Sequence, residues 1–157
     1  MSYIIGIATA ALVALLGSVA GFDRERGFYP AILMVVASYY VLFAAIGDSA
    51  NSLWPEAMVM AAFVVTAVLG FRRNLWLVVV GLAAHGILDL FHASGTVTPG
   101  VPAWWPAFCL AFDISAAAYC AYLLLWRAGK AGSPDRRCRR TADCEAPQHG
   151  APAGLHP

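Results

Sequence analysis

The chain has 157 residues, 61% of them apolar and 12% charged, with a formal net charge of +1. An average soluble domain carries about 25% charged residues. A soluble helical core would also need polar outer faces on its helices, and segments such as Ala57 to Leu69 and Leu75 to Leu82 have almost none, so the composition argues for a chain whose solvent is lipid.

Five apolar stretches follow one another: Tyr3 to Phe22, Tyr29 to Ile46, Trp54 to Phe71, Leu75 to Phe91 and Trp104 to Trp126. They have 17 to 23 residues, and roughly 20 helical residues cross a hydrocarbon core of about 30 Å. In the first, Gly6, Ala10, Ala14, Gly17 and Gly21 recur at steps of three and four, a small-residue stripe that lets helix backbones approach within a bundle. Ser18-Val19-Ala20 could be read as a secretory cleavage site. Against that, Met1-Ser2-Tyr3 has no positive side chain, and Arg24 and Arg26 follow the apolar run instead of preceding it. The Asp23-Arg24-Glu25-Arg26 run reads as a solvated loop. Pro30 falls in the first turn of the second helix, where a missing N–H costs little. Ser38, Tyr39 and Tyr40 add polar groups to that helix, and Asp48 stands at its far end. Asn51 or Ser52 caps the third helix, with Pro55 and Glu56 in its first turn. The fourth carries His85 and Asp89, with His92 just beyond Phe91, and the fifth carries Cys109 and Asp113. Pro99, Pro102 and Pro106 stiffen the approach to the fifth helix, and Gly132-Ser133-Pro134 ends it.

Charge sets the topology. The ten Lys and Arg residues lie in the first connection (Arg24, Arg26), the third (Arg72, Arg73) and the C-terminal region (Arg127, Lys130, Arg136, Arg137, Arg139, Arg140); the N-terminus and the second and fourth connections have none. Basic residues stay on the cytoplasmic side during insertion. The expected fold is therefore an all-α, five-helix transmembrane bundle over residues 1–130, N-terminus outside and C-terminus cytoplasmic, in a bacterial inner membrane. Trp54, Trp104 and Trp105 at the outer ends and Trp76 and Trp126 at the inner ends suit the two headgroup levels. Nine Arg against one Lys, with abundant Ala and Gly, suggests a GC-rich bacterial genome. Residues 131–157 are poor in apolar side chains and read as a disordered cytoplasmic tail. Cys138, Cys144, His149 and His156 miss the usual two-to-four-residue gap of a zinc pair, and the Arg136–Arg140 cluster reads as a topology signal touching anionic lipid, with no nucleic-acid partner.

Acids concentrate in the outer half: Asp48, Glu56, Asp89 and Asp113, joined by His85 and His92. A charged residue at the bilayer centre costs roughly 2.5–3.5 kcal/mol on insertion scales, so such residues face the bundle interior, pair with one another or mark a site. His85-x-x-x-Asp89-x-x-His92 places the second and third side chains at about 40° and −20° from the first, on one helix face. His85 lies about 10 Å inside His92 and Asp113 about 12 Å inside Trp105, so the two match in depth if helices four and five form a hairpin. Asp89 would then face Cys109.

His85, Asp89, His92 and Asp113 make a nitrogen–oxygen donor set suited to Zn²⁺ or Fe²⁺. With Asp48 or Glu56 as base, a metal there would activate water against a lipid or small molecule arriving from the outer side. The same residues also fit a proton relay or small transporter. A third reading makes them a lock between helices in a structural or assembly subunit. Oligomeric state has no signature in the sequence.

Ala84-His85-Gly86-x-x-Asp89-x-x-His92, followed by Gly100-Val101-Pro102-x-Trp104-Trp105-Pro106-x-Phe108-Cys109-x-x-x-Asp113, resembles small uncharacterised bacterial polytopic membrane proteins of about this length. The resemblance covers mainly residues 84–113 and implies a membrane bundle but no activity. There is also a likeness to the alkaline ceramidase and progestin-receptor-like membrane hydrolases, whose zinc ligands are membrane-embedded His and Asp. This chain differs from them in having five spans where they have seven, and His-x-x-x-Asp where they have His-x-x-x-His, so their catalytic assignments do not carry over.

Overall fold

The computed structural model describes residues 1–47, 50–93 and 100–131. They form α1 (Ser2–Ala20), a 3-10 turn (Phe22–Arg24), α2 (Phe28–Ile46), α3 (Ala50–Arg72), α4 (Trp76–Ala93) and α5 (Trp105–Ala131), with no strand among the described residues. Ser2–Ala20, Phe28–Ile46, Leu53–Arg72 and Trp105–Lys130 are each long and apolar enough to cross a membrane. The apolar run of α4, Trp76–Phe91, is shorter and spans about 24 Å.

The first helix puts small residues inward and large apolar ones outward. On α1 the buried residues are Gly6, Ala10 and Gly17, whereas Ile4, Leu15 and Val19 are 69%, 60% and 81% exposed. Water would penalise that exterior; lipid does not, and close backbone approach gives the packing. A Cβ at Gly6 would collide with the Phe108 carbonyl oxygen and meet the Ala111 Cβ at 3.0 Å, so this glycine seats α1 on α5. Gly21 departs from the expected stripe: it caps α1 at φ 80, and a side chain there would meet nothing.

α2 is the hub of the bundle. It buries Leu33 and Val36 against Ala67 of α3, Val78 and Leu82 of α4, and Phe112, Ala116 and Cys120 of α5. The first and third connections meet at one end, where the Arg26 guanidinium donates to the Arg73 carbonyl at 2.9 Å, as the shared basic character of those connections requires. At the same end Asp23 accepts hydrogen bonds from Tyr29 (3.0 Å) and Tyr119 (3.1 Å). Arg24, Glu25 and Arg26 are exposed, as a solvated loop expects, while Asp23 ties the 3-10 turn to α2 and α5. A correction concerns α3, which starts at Ala50, so Asn51 and Ser52 sit within it and Pro55 lies inside the helix, past the first turn.

The chain divides into Met1–Leu124 and Leu125–Pro157. The first unit holds all the packing above. In the second, the Lys130 ammonium lies 3.6 Å from the Trp126 ring centroid. The expected tail, apart from Ala131 at the end of α5, and with it the tail cysteines and histidines, lies outside the described residues.

Candidate functional site

Helical spacing puts His85 and Asp89 one turn apart on the buried face of α4, and Asp113 reaches them from α5. The His85 Nδ1 stands 2.7 Å from Asp113 Oδ2 and 3.8 Å from Asp89 Oδ2. Gly86 sits at the seam: a Cβ there would lie 3.3 Å from the Asp113 Cβ and 3.4 Å from the Leu110 carbonyl oxygen, so a side chain would require its neighbours to give by a few tenths of an ångström. The three groups are enclosed, at 1%, 0% and 0% exposure.

Two further helices complete the surroundings. From α2, the Tyr40 hydroxyl donates to Asp89 Oδ1 at 2.5 Å. From α3, the Phe63 ring stands edge-on to the imidazole, centroids 5.0 Å apart, and buried Glu56 interacts electrostatically with His85 and Tyr40. Cys109, one turn from Asp113 on α5, interacts with both Asp89 and Asp113, close to the facing expected of it. The second carboxylate oxygen of Asp113, Oδ1, has no hydrogen-bond partner among the described residues.

One donor atom each from His85, Asp89 and Asp113 can be chosen so that all lie within 4.8 Å of one another. Ligands about 2.1 Å from a tetrahedral ion stand roughly 3.4 Å apart. The 3.8 Å separation suits a shared ion; the 2.7 Å contact is a direct hydrogen bond that would open by less than about 1 Å to admit one. One imidazole and two carboxylates form a borderline-hard donor set that fits Zn²⁺ or Fe²⁺.

Charge balance sharpens the chemistry. No Lys or Arg occurs between Asn74 and Trp126, the stretch that supplies all three groups. The two buried carboxylates therefore draw no countercharge from their own stretch other than from His85, which stands 2.7 Å from Asp113 and 3.8 Å from Asp89, and burying such charges is costly.

Of the residues expected at the site, His85, Asp89 and Asp113 come together, and Glu56 stands beside them. His92 belongs to the last turn of α4 with its side chain outside what is described, and Asp48 lies outside the described residues altogether. Tyr40, expected only to line the cavity, is a direct partner of Asp89. Phe63 and Gly86 were not anticipated, although a glycine adjoining His85 is the sequence mark of a close helix approach. Toward the Asp23 end, the group is floored by Leu33, Val78 and Leu82, each 0% exposed. No protein-family model, curated protein or solved structure matches the chain.

Proposed function

We propose that this is a five-span protein of the bacterial inner membrane, N-terminus outside and C-terminus cytoplasmic, in which His85, Asp89 and Asp113 hold a divalent metal, Zn²⁺ or Fe²⁺, within a membrane-embedded enzyme. In this reading the chain belongs with the small bacterial polytopic proteins that residues 84–113 resemble, and α4 crosses with its polar last turn reaching the outer interface. The observation that carries the reading is the convergence of two buried carboxylates and an imidazole, whose donor atoms lie within 4.8 Å of one another. A divalent cation neutralises both acids at once.

Three protein ligands leave a coordination position open, the pattern of catalytic rather than structural metal sites. A bound metal would supply Lewis-acid polarisation of a carbonyl or phosphoryl oxygen. Tyr40 orients Asp89, and Phe63 fixes the imidazole plane. In this reading Glu56 would take a proton.

A proton relay is the second reading, favoured by the direct 2.7 Å contact between His85 and Asp113, with Asp89 3.8 Å from the same nitrogen and bonded in turn to Tyr40. The dry layer of Leu33, Val78 and Leu82 separates that chain from Asp23 and its tyrosines, which favours a local site over conduction across the bundle. Chelator treatment of purified protein, followed by back-titration with Zn²⁺ or Fe²⁺ under thermal unfolding, tests the choice. A metal at about a hundred times its dissociation constant stabilises by about 2.7 kcal/mol; loss and recovery of that increment, absent in His85→Ala, is expected. Unfolding indifferent to chelator and metal would leave the relay.

A further inference from the structure

The first and third connections are joined into one basic surface. The Arg26 guanidinium donates to the Arg73 carbonyl oxygen at 2.9 Å, so the turn before α2 and the turn before α4 lie against each other. Arg24, Arg26, Arg72 and Arg73 are all exposed there. Among the described residues, none of their guanidinium groups forms an ion pair. Asp23 is engaged by the hydroxyls of Tyr29 and Tyr119, which leaves Glu25 as the exposed acid of these two connections. Four cations therefore stand against one exposed anion.

Two features define what this surface can hold. Phe22, Phe71 and Trp76 flank the arginines in sequence and are 53%, 47% and 42% exposed. Aromatic rings beside exposed cations suit the boundary between hydrocarbon and headgroups, which sets the guanidinium groups at the depth of lipid phosphates. A guanidinium carries five N–H donors in a planar fork that matches two phosphate oxygens. Arg26 commits one donor to the Arg73 carbonyl, which holds the group in place and leaves four for a ligand. The amino end of α4 is already closed by its own cap, with the Trp76 N–H donating to Asn74 Oδ1 at 3.0 Å. The attraction for an anion thus comes from the arginine side chains and not from an open helix end.

We propose that Arg26 and Arg73, flanked by Arg24 and Arg72, hold the phosphate of an anionic phospholipid in the leaflet at this end of the bundle, so that one headgroup bridges the first and third connections. A zwitterionic lipid carries the same phosphate but adds a cation that the arginines repel, so the site selects headgroups of net negative charge. It goes beyond the metal reading and does not depend on it.

The test titrates full-length protein, delipidated in a non-ionic detergent, with phosphatidylglycerol or with phosphatidylcholine of the same chains, and counts bound lipid by native mass spectrometry. One phosphatidylglycerol should bind about tenfold more tightly than phosphatidylcholine, and added salt should erode the preference. Arg24→Gln and Arg73→Gln each remove an exposed charge, the second without touching the carbonyl that Arg26 holds. Each should weaken phosphatidylglycerol about fivefold, the factor that one arginine contributes at an anionic membrane surface. Glu25→Gln, which removes the exposed acid, should tighten it. Thermal unfolding in lipid-free detergent checks that each variant keeps its fold. Equal binding of the two lipids, or a phosphatidylglycerol affinity unmoved by both arginine variants, overturns the site. Inorganic phosphate that displaces phosphatidylglycerol at equal concentration would make this a free-anion site and overturn the lipid assignment.

Discussion

From α2, Tyr40 touches Asp89, the acid of α4. Its hydroxyl donates to Asp89 Oδ1, so Tyr40→Phe removes a donor without opening a cavity. Loss of a hydrogen bond that orients a ligating carboxylate typically weakens metal binding about 10–100-fold. Competition titration against a chromophoric chelator should show that loss with the helices intact; an unchanged affinity would mean that Asp89 is not a ligand. The meeting of His85 and Asp113 was legible in the sequence because helical rise is fixed: residues seven or eight positions inside opposite ends of a hairpin lie at one depth. Which of Tyr39 and Tyr40 faces inward was not legible, since α2 is apolar all round and offers no polar face to fix its rotation. Asp23 was opaque for another reason. One of its partners, Tyr119, is 96 residues away, and no local pattern announces so distant a contact.

At the scale of helices, close approach decides whether the site exists. Gly86 lets α4 lie against Leu110 and Asp113; Gly86→Leu forces bulk into that seam and should cost about 1–3 kcal/mol, read by thermal unfolding. It should also part His85 from Asp113 and abolish metal retention. A variant with native stability and full metal content would show that the seam can give. The small-residue stripe of α1 was readable as a packing face, because membrane helices associate by backbone approach. The start of α3 was misread for a physical reason: the polar Asn51 and Ser52 ahead of Pro55 imitate a cap, yet the helix extends back through them to Ala50.

For the whole molecule, the distribution of arginines makes the strongest claim. The hydrogen bond from Arg26 to the Arg73 carbonyl joins the two basic connections at one end, which an antiparallel succession of helices demands and the sequence already implied. Reporter fusions after Arg73 and in the C-terminal tail should report cytoplasm, and fusions near Ser49 and Thr98 the outside; a C-terminus found outside would dismantle the five-span topology. The all-α class was legible because long, almost uniformly apolar stretches follow one another in the sequence. The chemistry was legible only in part, since residue types and depth give a donor set while three-dimensional convergence decides which donors share a point.

That convergence is the central claim, and the metal content of purified protein tests it most directly. Elemental analysis of the wild type, His85→Ala and Asp113→Asn, each purified without added chelator, should find about one zinc or iron per wild-type chain and background levels in both variants. Wild-type protein that is folded, carries no stoichiometric metal and acquires none from excess Zn²⁺ or Fe²⁺ would contradict the account.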